Sequence, residues 1–131
     1  MIVPITAFYA CLLAAFYLFL AIMVIRQRFK SNVSLGHGEE KHMLQAMRAH
    51  GNFVEYVPFA LLLMMMAEMN GAQHLVLHVC GWWLIAARFL HAHGVRFHFG
   101  PNWQRLVGML STFLILILLI GINMFQIYTL T

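Results

Sequence analysis

Charge is what this sequence has least of. Lys, Arg, Asp and Glu make up 9% of its 131 residues, where ordinary soluble domains carry about 25%. Hydrophobic residues make up 63%, and the mean hydropathy is +0.81. A soluble core built from so short a chain cannot hide that much apolar surface from water. A water-soluble globular fold is thereby excluded, and the solvent for most of the chain is lipid. Cysteine is also scarce. Cys11 and Cys80 both sit in apolar runs, and no CxxC is present. That excludes a disulfide framework and leaves the expectation of two buried thiols acting as small packing residues. The formal charge is +4, but no basic helix or RNA-binding signature accompanies it, so no nucleic-acid partner is expected. A charged leader and a small-residue cleavage site are missing at the N-terminus. The apolar run there, Ile2–Ile25, is too long for a signal-peptide core and is expected to be a retained transmembrane helix. With no long linker and no fixed-period repeat, residues 1–131 read as one domain.

Crossing about 30 Å of hydrocarbon takes about 20 residues of helix. Four segments qualify, namely Ile2–Ile25, His50–Met69, His74–Ala92 and Leu106–Tyr128. The fold class expected is therefore an all-α integral membrane protein, a bundle of four transmembrane helices. "RQRFKSNVSLGHGEEKHMLQAM" forms the first connection, with a loop expected at Ser31–Gly38. Asn70–Gln73 reads as a tight turn from its Asn-Gly pair, and His93–Trp103 as a third connection broken at Gly100-Pro101. Every lysine and arginine (Arg26, Arg28, Lys30, Lys41, Arg48, Arg88, Arg96 and Arg105) falls in or beside the first and third connections. The positive-inside rule then places those connections in the cytoplasm and both termini on the other side. An even number of spans requires the same pairing of the termini.

The polar residues within these spans carry the functional argument. Arg48, Asn52 and Glu55 stand four and three residues apart, so they share one helical face. An ionisable group deep in a membrane helix costs about 2.5–3.5 kcal/mol on insertion scales. This stripe should therefore face protein or water rather than lipid. His50 points to the opposite side, and Pro58 interrupts the backbone ladder beyond the stripe. Arg88 and His91 make a second stripe on the third helix. Arg105 begins the fourth helix, with Gly108 and Thr112 on its face, while Arg26 and Arg28 end the first. Each helix thus brings a cationic or polar group to one depth. Simpler roles exist for several of these residues. Arg26, Arg28 and Lys30 suit topology anchors, and Arg105 suits a snorkelling flank. Glu55 suits a structural ion pair with Arg88 or Arg48. His37, His42 and His98 suit solvated loops, and His74 and His78 an interface. A pocket offering cations, a carboxylate, a carboxamide and an imidazole between apolar walls fits a small anionic zwitterion beside a lipophilic partner. Arginine pairs with carboxylates through forked hydrogen bonds, Glu55 can take an ammonium, and Asn52 can bond an amide. A nearby arginine also favours thiolate. Glutathione fits that inventory.

"RAHGNFVEYVP" at Arg48–Pro58 resembles the second-helix signature of the MAPEG superfamily, the membrane-associated proteins in eicosanoid and glutathione metabolism. "ARFLHAHG" at Ala87–Gly94 resembles the third-helix signature, and "VSLGHG" at Val33–Gly38 the loop of bacterial members. The resemblance covers nearly the whole chain. It implies a homotrimer in the bilayer, with glutathione bound between subunits near the cytoplasmic interface. Arg48, Asn52, Glu55 and Tyr56 match the second-helix polar set, and Arg88 and His91 the third-helix set. Arg105 matches the arginine that stabilises the thiolate, and Arg26 and Arg28 match the basic helix end that reaches a neighbour's site. The implied activity is transferase or peroxidase chemistry on lipophilic electrophiles, without a metal, in a bacterial inner membrane. Gly51 stands where some eukaryotic members have an arginine, and Val95 where a tyrosine is frequent, so two tripeptide contacts differ. The alternative is a non-catalytic structural or regulatory trimer held by its ionic stripe. A drug transporter would put a carboxylate near the bilayer middle, and a haem carrier would need facing histidines.

Overall fold

The computed structural model describes residues 1–130, so residue 131, the last of the expected domain, lies outside it. Among the described residues the chain forms α1 (Pro4–Ser31), α2 (Lys41–Met69), α3 (His74–Phe97) and α4 (Trp103–Leu130). All four are long and apolar enough to cross a membrane, and the protein is an integral membrane protein. The helices outrun the expected spans. α2 begins at Lys41 rather than His50, α1 runs on to Ser31, and α3 runs on to Phe97. Hydropathy marks where a helix enters hydrocarbon, whereas the backbone stays helical wherever residues favour it. "KHMLQAMRA" is rich in good helix formers, and its Met43, Gln45, Ala46 and Ala49 are buried against the bundle.

Contacts at the helix ends fix the up-and-down order. At one end, the Glu68 carboxylate of α2 accepts hydrogen bonds from the backbone N–H of Ile5 (2.8 Å) and Thr6 (2.7 Å). It satisfies two of the free donors that open α1, where Val3 offers no side-chain cap. At the same end, Gln126 Nε2 of α4 donates to the carbonyls of Ala67 and Asn70. At the other end, Arg96 of α3 donates to Gln27 of α1, and Gln45 of α2 donates to the His98 carbonyl. Asn102 Oδ1 caps α4 by accepting from the Arg105 N–H at 2.9 Å, while its Nδ2 donates to the Gly94 carbonyl of α3 at 2.9 Å. The lysines and arginines all lie in this second half of the bundle.

α2 touches every other helix, α3 packs on α4, and α1 packs on α2 and α3. Among the described residues α1 and α4 do not meet. The core runs through Tyr9 and Leu13, Phe53 and Met64, Leu77 and Leu84, and Ile115 and Leu119. Gly81 makes room for the Tyr9 ring, whose hydroxyl lies 2.8 Å from His78 Nδ1 and donates to the His78 carbonyl. His78 is therefore a core tyrosine's partner and not merely an interfacial residue. Trp82 meets the Tyr9 ring edge-on at 5.6 Å, in keeping with a packing role. Cys80 is buried as expected, but Cys11 is exposed. It sits two residues from Tyr9 and from Leu13, and that offset turns it off the inward face of α1.

Candidate functional site

The polar stripe of α2 divides between two directions. Asn52 turns inward, and its Oδ1 accepts a 2.6 Å hydrogen bond from Arg88 Nη2 of α3. Arg88 is only 1% exposed. Its Nη1 donates to Thr112 Oγ1 of α4 at 3.4 Å, and Thr112 donates in turn to the Gly108 carbonyl at 2.8 Å. Arg88 lies roughly 14 Å from the end of α3 at 1.5 Å per residue, well inside the bundle. Arg48 and Glu55 turn outward instead. Arg48 Nη1 stands 3.7 Å from Glu55 Oε1, with the two side chains 56% and 53% exposed. Glu55 therefore pairs with Arg48 and not with Arg88. An exposed pair of that kind is worth about 0–1 kcal/mol, which leaves both groups free to exchange partners. Tyr56 packs its ring on Phe113 of α4, with centroids 5.7 Å apart.

His91 follows Arg88 on α3 and is buried, with Nδ1 unpartnered among the described residues. Two glycines bring α4 against this part of α3. A Cβ at Gly108 would stand 2.7 Å from the Ala87 carbonyl oxygen and 2.7 Å from His91 Cβ. At Gly94 it would stand 2.6 Å from Asn102 Oδ1 and 2.7 Å from the Arg105 nitrogen. Gly108→Val must push the two helices apart at the site. We expect it to destabilise the fold by roughly 1–3 kcal/mol in thermal unfolding. Unchanged melting would contradict the close packing.

Asn52, His91, Asn102, Arg105, Leu106 and Met109 line a groove of about 370 Å³. Arg105, itself exposed, also borders a second groove of about 200 Å³ with Lys41, Gln45, Arg48 and His98. The structure thus gathers Arg48, Asn52, His91 and Arg105 around two adjoining grooves, with Arg88 behind them. Glu55 reaches this group through Arg48, and Tyr56 lines neither groove. Arg26 and Arg28 are not brought here within one chain. Arg28 donates to the carbonyls of Gly36 (3.0 Å) and Val33 (3.5 Å), bracing the first connection, while Arg26 is exposed. His50 turns toward α1, its ring 5.1 Å from that of Tyr17. Asn102, Met109, Lys41 and Gln45 escape the sequence reading. Of these, only Asn102 carries a local signal, an asparagine capping position just after Pro101 and ahead of an apolar run.

Fold and site together define a polytopic membrane protein with a cationic cleft sunk between its helices toward one end. The model of the MAPEG family matches residues 6–125. "Inner membrane protein YecN" of Escherichia coli K12 is 38% identical over 120 residues, spanning 92% of this chain and 90% of that protein. The protein of the same name from Escherichia coli O6:H1 matches to the same extent. The chain belongs to the MAPEG family, which includes glutathione transferases and peroxidases.

Proposed function

We propose that this protein is a membrane-bound, glutathione-dependent transferase or peroxidase acting on lipophilic electrophiles. The observation that carries this reading is the groove in which Asn52, His91 and Arg105 share one wall system with Leu106 and Met109. It sets polar recognition beside apolar surface. The residues present fit glutathione. Among the described residues His91 Nδ1 is buried without a partner and the Asn52 amide nitrogen has only the Met109 sulfur at 3.9 Å, so both have capacity left for a ligand. Arg48 and Arg105 suit its carboxylates or sulfur, and Glu55 suits its ammonium. When bound, glutathione supplies a thiol nucleophile. Arg105 favours the thiolate by charge at the groove mouth. Arg88 holds the Asn52 carboxamide in one orientation, and the tight α3–α4 approach at Gly108 fixes His91 beside it.

The same reading places the protein as a homotrimer in the bacterial inner membrane. The lysine- and arginine-rich end faces the cytoplasm, and glutathione lies between subunits. Exposed Arg26, and Arg28 with the donors its loop contacts leave over, would then reach a neighbour's cleft. The lipophilic substrate enters from the bilayer. The exposed Arg48–Glu55 pair also supports a second reading, a non-catalytic trimer whose ionic stripe holds the assembly.

Thermal unfolding separates the two. Reduced glutathione at one hundred times its dissociation constant should stabilise the protein by about 2.7 kcal/mol, and conjugation of a chlorinated aromatic acceptor should exceed the buffer rate. A structural trimer would show no ligand stabilisation and no turnover, and Glu55→Gln would disperse it.

A further inference from the structure

A third, distinct groove lies on another face of α3, between α1, α2 and α3, with a volume of about 200 Å³. None of the site residues lines it. Phe16 and Phe89, stacked on one another with centroids 4.0 Å apart, line it together with Ala49 and Ala92, and His93 and Arg96 stand toward one end. From Phe89 to Arg96 it runs roughly 10 Å along α3 at 1.5 Å per residue. Apart from that end, its walls are apolar.

The charge at the end is the informative feature. Arg96 Nη2 donates to Gln27 Oε1 at 3.2 Å, and the guanidinium lies 6.0 Å from the Phe97 ring centroid. Its Nε is buried with no partner among the described residues. Among the described residues the one ion pair is Arg48–Glu55, so Arg96 has no carboxylate to neutralise it. A guanidinium has five donors in a rigid fork that matches a phosphate. Arg96 also sits near the end of a transmembrane helix, on the side of the bundle that bears the other cations. Headgroups of anionic lipids lie at that depth, and basic pockets between helices are suited to them.

We propose that this groove binds an anionic glycerophospholipid of the surrounding bilayer. One acyl chain lies along Phe16 and Phe89, and the phosphate is held by Arg96 with His93 beside it. The thiol cosubstrate does not suit this groove, which lacks the amide and carboxylate partners a tripeptide needs. The proposal stands independently of the glutathione reading.

Native mass spectrometry of the full-length protein in detergent tests it, with phosphatidylglycerol, phosphatidylcholine of matched chains, and oleate as probes. Wild type should retain phosphatidylglycerol over phosphatidylcholine by about fivefold, the ratio expected from one arginine at the headgroup surface. Arg96→Gln should erase that preference while keeping chain binding, and Ala92→Leu should weaken both lipids by filling the groove. Equal retention of the two lipids by wild type would overturn the proposal, and that comparison needs no variant to fold. So would an undiminished preference in Arg96→Gln, undiminished lipid retention in Ala92→Leu, or displacement of phosphatidylglycerol by oleate, which would assign the groove to a free fatty acid.

Discussion

Asn52→Leu is expected to unfold far more readily than wild type, and Arg88→Met only slightly more readily. The two substitutions break the same 2.6 Å hydrogen bond but leave different remainders. Leucine at position 52 leaves the guanidinium of Arg88, 1% exposed, with a single 3.4 Å contact to Thr112. Taking the acceptor from a buried charged donor costs roughly 1.5–3 kcal/mol. Methionine at position 88 removes the charge and keeps much of the volume. It leaves a carboxamide at the groove edge that can turn to water, at a cost of about 1 kcal/mol. Hydrogen bonds between membrane helices average only about 0.6 kcal/mol, so the difference between the variants reports the stranded cation and not the bond itself. Melting followed by tryptophan fluorescence in lipid nanodiscs measures both. If Arg88→Met melts as low as Asn52→Leu, Arg88 is held by something other than Asn52.

Arg105→Ala should leave stability within about 0.5 kcal/mol of wild type while lowering turnover by roughly 10²–10³-fold. Its side chain is exposed, so little packing is lost. Its backbone N–H stays on Asn102, so the cap of α4 survives the substitution. Arg105→Lys should recover part of the rate, because it keeps the charge but not the planar fork. Conjugation kinetics with a chlorinated aromatic acceptor, measured alongside melting, separate the two effects. Turnover unchanged in Arg105→Ala would assign thiolate stabilisation elsewhere, with Arg48 the next candidate across the second groove.

Much of this architecture is legible in the residues, and the illegible parts share a cause. Long apolar runs report burial in lipid directly, so four spans can be read from hydropathy alone, while the polar opening of α2 at Lys41–Ala49 cannot. The spacing of Arg48, Asn52 and Glu55 defines an angle around the helix axis. It does not say which neighbour fills that angle. In the structure Asn52 meets α3, while Arg48 and Glu55 meet each other. Arg88 with His91 can be read as one stripe, but the closeness of α4 rests on Gly108, whose meaning appears only once Ala87 and His91 stand opposite it. Glu68 caps a helix that began more than sixty residues earlier, and no local pattern announces such a contact. Cys11 and Arg28 show the same limit, since one faces outward and the other braces its own loop.

In the proposed function the cleft formed by Asn52, His91 and Arg105 binds glutathione. Calorimetric titration of reduced glutathione into the wild-type protein in nanodiscs is the test, with Asn52→Leu, held below its own melting temperature, and Arg105→Ala as companions. Saturable binding in wild type, weakened in both variants, is expected. No heat of binding in a fully folded wild type, or binding indifferent to both substitutions, would contradict it.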